Sequence, residues 1–184
     1  MQQGHSVALG VVLILGGVRS GKSRYAQQLA EQFGRVTLIA TAQRRDDEEM
    51  HRKIERHRAE RPAHWLTVEE PLALGKAIEN AAADSDAVLV DCVTLFASSL
   101  LEAYPEEDGG AEEQVASLLK ALEARRCTVI LVSNEVGSGV VPAFASGRRF
   151  RDLLGEINQR VAAEADTVTL MVAGLPLQLK GGAA

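Results

Sequence analysis

Cysteine is scarce in this chain of 184 residues, which has only Cys92 and Cys127. Two thiols cannot build a disulfide framework or a four-ligand zinc site. Both lie in or beside apolar runs, where small buried hydrophobes in a reducing cytosol are the plainer reading. A basic excess is missing as well. Lys and Arg number 20 against 25 Asp and Glu, a formal net charge of −5, which argues against a general binder of nucleic acid or anionic membranes. No apolar run approaches the roughly 20 residues of a membrane-spanning helix. The strongest, Val7–Leu15 extended by Gly16-Gly17-Val18, has no Lys or Arg ahead of it and meets Arg19 and Lys22 where a signal peptide would carry small residues. It reads as a buried strand of a soluble, cytoplasmic protein.

Hydrophobic residues make up 46% and charged residues 24%, close to the globular average, so a disordered or fibrous chain is excluded. There is no internal repeat and no low-complexity tract. The one sizeable loop-like cluster, Pro105–Gly110, reads as a solvated turn, so residues 1–184 are expected to form a single domain. Strands are expected at Val7–Leu15, Val36–Ala40, Ala87–Asp91, Thr128–Ser133 and Thr167–Ala173. These runs are apolar nearly throughout, as strands covered on both faces of a parallel sheet must be. Helices are expected between them at Lys22–Phe33, Asp46–Arg61, Pro71–Ala83, Ala111–Arg125 and Phe150–Glu164. In the last, Phe150, Leu153, Leu154, Ile157 and Val161 recur at three- and four-residue steps and make one apolar stripe. Strand–helix alternation of this kind predicts a three-layer α/β fold with a mostly parallel sheet and helices on both faces.

Gly16-Gly17-Val18-Arg19-Ser20-Gly21-Lys22-Ser23 matches G-x-x-x-x-G-K-[ST] in full. Glycines let successive backbone N–H groups converge on phosphate oxygens, Lys22 reaches the β- and γ-phosphates, and the Ser23 hydroxyl helps to hold Mg²⁺. The loop leaves an apolar strand and opens a helix whose N-terminal dipole faces the same anion. That context predicts a binder of nucleoside triphosphates. Asp91 closes the run Ala87-Val88-Leu89-Val90 at the strand edge where open α/β sheets bind ligands. It is either an acid beside the nucleotide's Mg²⁺ or the cap of the following turn. Met50–Trp65 carries Arg52, Lys53, Arg56, Arg58 and Arg61 against Glu55 and Glu60, with His51, His57 and His64 among them. This cationic stretch suits a polyphosphate, or it is a solvated helix face with i,i+4 pairs. Spacing does not choose among the three histidines.

With these residues in view, the chain resembles the bifunctional adenosylcobinamide kinase / adenosylcobinamide-phosphate guanylyltransferase family of cobalamin biosynthesis. The resemblance runs through GGVRSGKS at 16–23, IATAQ at 39–43, DDEEM…KIERHRAERPAHW at 46–65, VLVDC at 88–92, SNEVGSGVVP at 133–142, GRRFRDLLGEINQRVAAEAD at 147–166 and VAGLPLQLKG at 172–181. The HRAERP and SNEVGSGVVP stretches are much more specific than the phosphate loop. The resemblance implies a RecA-like P-loop sheet, a homotrimer, and two reactions. ATP or GTP phosphorylates the aminopropanol hydroxyl of adenosylcobinamide, and GMP then passes from GTP to that phosphate through a histidine–GMP intermediate. It places the nucleophile at His57. Besides residues 16–23, it lines the nucleotide site with Ala40, Thr41, Ala42, Arg58, Ala59, Glu60, Arg61, Glu69 and Asp91, and assigns Mg²⁺ to Ser23 and Asp91. Glu69 and Glu70 precede Pro71, where a helix cap would serve equally well. A phosphate-loop kinase without guanylyl transfer is the alternative, and a slow nucleotide-hydrolysing switch is a more distant one.

Overall fold

The computed structural model describes residues 10–42, 62–105 and 109–181. In chain order the elements are β1 (Val11–Gly16), α1 (Lys22–Ala30), β2 (Val36–Ala40), β3 (Leu66–Glu69), α2 (Leu74–Ala81), β4 (Ala87–Asp91), α3 (Val93–Ala103), α4 (Gly110–Glu123), β5 (Thr128–Asn134), α5 (Ala145–Glu164), β6 (Thr167–Val172) and β7 (Leu175–Lys180). The strands form one seven-stranded sheet in the order β3-β2-β4-β5-β1-β6-β7. Every pairing is parallel except the last, β6 with β7.

Successive residues of the central strands point to opposite faces, and both faces are covered, which is why their sequences are continuously apolar. Val11, Leu13, Val88, Val90, Val129 and Leu131 pack on one side with Phe96, Leu118 and Ile157 from α3, α4 and α5. Ile14, Ala87, Leu89, Ile130 and Val132 pack on the other with Ala26 and Ala30 of α1 and with Trp65. Among the described residues, no helix is long and apolar enough to cross a membrane.

The five expected strands are all present. Val36–Ala40 and Ala87–Asp91 have the expected bounds, and the last two strands end one residue later and one residue earlier, at Asn134 and Val172. The first begins at Val11, since Gly10 is not in the strand and residues 7–9 lie outside the described part, and it runs on to Gly16. α1 stops at Ala30, where 3₁₀-type bonds from Gln32 and Phe33 tighten the last turn. α2 begins at Leu74 instead of Pro71, and α5 begins five residues ahead of its apolar stripe, at Ala145. The expected helix Asp46–Arg61 falls outside the described residues.

Three elements have no counterpart among the sequence expectations. β3 is a short edge strand of four exposed residues. α3 buries Val93, Phe96, Ala97 and Leu100, an i, i+3, i+4, i+7 stripe that periodicity alone would have found. β7 follows β6 through Ala173 (φ 52°) and Gly174 (φ 82°), the left-handed pair of a two-residue hairpin turn. Val172 lies opposite Leu175 across that turn.

Candidate nucleotide-binding site

Parallel pairing brings the C-terminal ends of the strands to one edge. Glu69 is opposite Ala40, Ala40 is opposite Asp91, and Gly16 is opposite Asn134. The tips of β3, β2, β4, β5 and β1 therefore bring Glu69, Ala40–Ala42, Asp91, Asn134 and the phosphate loop to one margin. The sequence-based site residues among these, drawn from stretches 75 residues apart, do converge.

The loop is built around its glycines. A Cβ on Gly16 would run into Ser20 Oγ and come within 2.8 Å of the Met171 carbonyl, so only glycine ends β1 without displacing the loop. Gly21 takes φ 95° directly before α1, and its Cα side lies against Gly174 of the β6–β7 turn, a conformation that costs an L side chain free energy. Arg19 also has positive φ, 57°. Ser20 N–H donates to the Gly17 carbonyl at 3.3 Å, and the Ser20 carbonyl accepts from Gly174 N–H at 2.9 Å. The hairpin turn thus braces the loop from behind. Ser20 Oγ is buried without a protein hydrogen-bond partner, a hydroxyl available to a phosphate oxygen. Lys22 and Ser23 open α1, where unpaired N–H groups and the helix dipole favour an anion.

Lys22 Nζ donates to the Gly17 carbonyl at 3.0 Å. Burial lowers the pKa of this ammonium, and the neighbouring Cys92 and Asp91 act against that shift. Burial, aided by the charge of Asp91, pushes the Cys92 thiol up to about 11. The thiol is therefore neutral at pH 7, and Asp91 is the anion whose charge acts on Lys22. The peptide joining Asp91 to Cys92 is cis. Ser23 and Asp91 offer hydroxyl and carboxylate oxygens, a donor set that suits Mg²⁺ carried on a nucleotide, which takes one or two protein oxygens and completes its shell with phosphate and water. Among the described residues no group of three or more His, Cys, Asp or Glu side chains could form a metal cage.

Thr41 is fully buried. Its Oγ1 accepts from Cys92 N–H at 2.9 Å and donates to the Cys92 carbonyl at 2.6 Å, while its own N–H donates to the Asp91 carbonyl at 3.3 Å. Glu69 ends β3 at the site margin, whereas Glu70 Oε1 accepts from Leu72 and Ala73 N–H, both at 2.9 Å, and caps the turn into α2. His57, Arg58, Ala59, Glu60 and Arg61 lie outside the described residues.

Sequence reasoning assigned no role to the end of β5. Asn134 N–H donates to Thr94 Oγ1 of α3 at 2.8 Å, and its carbonyl accepts from Asn158 Nδ2 of α5 at 3.0 Å. Ser133 Oγ donates to Asn158 Oδ1 at 2.7 Å in a buried contact. A polar pair closing an apolar strand was the available signal, since such groups at a buried strand end need partners.

The family model for cobinamide kinase / cobinamide phosphate guanyltransferase matches residues 12–179, nearly the whole of this chain. A bifunctional adenosylcobalamin biosynthesis protein, CobP of Pseudomonas aeruginosa, is 48% identical over 171 residues, covering 92% of this chain and 96% of the relative. The corresponding CobU protein of Salmonella typhimurium is 40% identical over 181 residues, covering 92% and 99%. Among solved structures, an ATPase of a bacterial type III secretion system superposes with a TM-score of 0.60 at 16% identity, over 92% of this chain and 56% of its own length. The flagellar accessory protein FlaH of Methanocaldococcus jannaschii gives 0.52 at 14%, over 94% of this chain and 79% of that one. At such identities the likeness shows the fold alone, a mostly parallel α/β sheet. The sequence matches go further, and the chain belongs to the cobinamide kinase / cobinamide phosphate guanyltransferase family.

Proposed function

We propose that this chain carries out both reactions of its family: phosphorylation of adenosylcobinamide with ATP or GTP, then transfer of GMP from GTP to the adenosylcobinamide phosphate. The observation that carries the reading is the phosphate loop, with Lys22 Nζ bonded back to the Gly17 carbonyl and Asp91 ending β4 at the same edge of the sheet, in a chain that matches this family along nearly its whole length. In the first reaction the aminopropanol hydroxyl attacks the γ-phosphorus. The new P–O bond forms as the bond to the β-phosphate oxygen breaks, and the hydroxyl proton is lost. The protein's part is mainly alignment and neutralisation of charge by the loop N–H groups and Lys22.

In the second reaction His57 is the nucleophile. Imidazole is the side chain whose unperturbed pKa, near 6.5, leaves a neutral nucleophile at cytosolic pH. A ring nitrogen bonds to the α-phosphorus and pyrophosphate leaves, its charge met by Lys22, Arg58 and Arg61. A phosphate oxygen of the corrinoid then takes the GMP, and the P–N bond breaks to give adenosylcobinamide-GDP. Ser23 and Asp91 would hold Mg²⁺, which when bound offsets phosphate charge in both steps. Ala40, Thr41, Ala42, Ala59, Glu60 and Glu69 complete the nucleotide surroundings. The working unit is a cytoplasmic homotrimer formed from single-domain chains, with no nucleic-acid or membrane partner.

The test is to incubate the pure protein and its His57→Ala variant with Mg²⁺ and GTP labelled at the α-phosphate, then denature both. Acid-labile, alkali-stable label on the wild type alone is the expected result. A wild type that binds GTP and phosphorylates the corrinoid but takes up no label reduces the activity to a plain kinase. Label that persists on the variant moves the nucleophile to another residue.

A further inference from the structure

We infer that Thr41 is a positioning residue for Asp91 and not a contact of the nucleotide. The inference rests on the reading of the site given above, and it changes the role of one residue in it. Thr41 is fully buried, and its hydroxyl is already used twice within the protein. Oγ1 accepts from Cys92 N–H at 2.9 Å and donates to the Cys92 carbonyl at 2.6 Å. A hydroxyl has one proton to give, and here the Cys92 carbonyl takes it, leaving none for a phosphate oxygen or for the base and ribose of a nucleotide.

What this double bond does hold is the backbone immediately after the carboxylate. β2 and β4 pair in register up to Ala40 and Asp91. One residue further, Thr41 N–H reaches the Asp91 carbonyl at 3.3 Å. The ladder ends there. The Cys92 carbonyl turns to α3, where it accepts from Leu95 and Phe96 N–H at 3.2 and 3.3 Å, while the Cys92 N–H has the Thr41 hydroxyl as its partner. With the further bond from Thr41 Oγ1 to that carbonyl, three hydrogen bonds join Thr41 to the strand tip. Asp91 is thereby fixed at the strand edge that β4 shares, through β5, with the end of β1 and the phosphate loop that leads to Lys22 and Ser23 at the start of α1. The outer partners of a carboxylate that holds a cation typically govern affinity by 10–100-fold. Valine in place of Thr41 has nearly the same shape and no hydroxyl. It leaves the Cys92 N–H without its partner, removes one of the three bonds to the Cys92 carbonyl, and loosens the turn that carries the carboxylate.

The experiment measures GTP affinity, with no corrinoid present, in excess Mg²⁺ and again in EDTA. Wild type, Thr41→Val, Thr41→Ser, Asp91→Asn and the Thr41→Val/Asp91→Asn double variant are compared, each with its melting temperature. Thr41→Val should lose about 10–100-fold of affinity in Mg²⁺ and change by less than about twofold in EDTA. Thr41→Ser, which keeps the hydroxyl, should match the wild type in both. In the Asp91→Asn background Thr41→Val should add no further Mg²⁺-dependent loss, because the two act as one unit. Equal losses in Mg²⁺ and EDTA would make Thr41 a direct nucleotide contact or a general support of the fold, and would overturn the inference. So would an unchanged Mg²⁺ affinity in Thr41→Val. If Thr41→Val does not fold, the serine variant decides, since a Mg²⁺-specific loss there with the hydroxyl retained overturns the inference as well. None of these measurements depends on the corrinoid, so a failure of the proposed transferase activity would be seen separately.

Discussion

The centre of the sheet and its two margins use their side chains in opposite ways. β1, β4 and β5 are buried along nearly their whole length, whereas every residue of β3 and of β7 is exposed. A strand with neighbours on both sides and helices on both faces can shed its backbone polarity only into the ladder, so its last residues, where the ladder stops, must find other partners. Here they find them in side chains. Thr41 serves β4, Thr94 and Asn158 serve β5, and the phosphate loop continues β1. The groups placed for chemistry are therefore the ones whose backbone is most firmly held. The margins carry no such demand, and β7 instead carries the features of a protected edge: Pro176, a register shift at Val168/Thr169 and a terminal Lys180.

The largest effect should come from the centre. Phe96 of α3 is fully buried in the larger core, against the face of β4 and β5. Phe96→Ala should cost about 3–5 kcal/mol, the lost transfer free energy plus the cavity it leaves. Chemical denaturation with an unchanged m-value is the measurement. A loss under about 1 kcal/mol would mean that α3 repacks freely and that the centre is no more rigid than the edges.

Next is the polar clasp at the end of β5. Asn158→Leu removes the donor to the Asn134 carbonyl and the acceptor for Ser133 Oγ, the latter in a fully buried contact. Leaving such groups unpaired costs about 1–3 kcal/mol. Because Asn134 is opposite Gly16, GTP affinity should fall together with stability. A stability loss with unaltered GTP affinity would separate β5 from the site.

The same contrast explains how much could be read from the sequence. The central strands announce themselves, because burial on both faces demands runs such as Ala87-Val88-Leu89-Val90 and Thr128-Val129-Ile130-Leu131. The phosphate loop is equally legible, since its residue types follow from backbone geometry within eight positions. β7 was not, because its turn begins with Ala173 where Asn or Asp would have been the cue, and its alternation of Leu175, Leu177 and Leu179 is that of a half-exposed strand. β3 is too short for periodicity to register. The Thr41–Cys92 pairing joins residues 51 apart in sequence, and only the register of β2 on β4 brings them together. For the same reason sequence alone could place Asp91 at a strand end without choosing between a metal ligand and a cap.

A smaller effect is expected on the helical surface, where α4 and α5 meet. Arg160 holds both oxygens of Glu112 at 2.8 Å, but the acid side chain is 59% exposed. Solvent screening limits Glu112→Gln to about 1 kcal/mol or less. The hydrogen bonds from Arg160, chiefly, and then its charge hold the Glu112 carboxyl below its ordinary value. A carboxyl whose pKa is lower in the folded chain stabilises fully above its unfolded pKa, and that contribution disappears as pH falls through the folded one. Wild type and Glu112→Gln should therefore differ at pH 7 and converge in acid, and added salt should shrink the difference. A gap that stays constant with pH would assign the loss to packing.

The smallest effect should be at the margin. Leu177 is 55% exposed on β7, between Leu175 at 71% and Leu179 at 56%, so it has little burial to lose. Leu177→Lys keeps the backbone pairing with Leu170 and should change the stability of the isolated chain by no more than about 0.5 kcal/mol, as for surface substitutions in general. Three neighbouring leucines on one face are nonetheless more apolar surface than scattered exposure accounts for. Denaturation repeated over a range of protein concentrations settles which description holds. A small loss at every concentration makes β7 an open edge, in full contrast with the centre. A loss that grows with concentration means that another copy of the chain covers the leucines, since association stabilises by mass action, and the margin then belongs to the assembly's core.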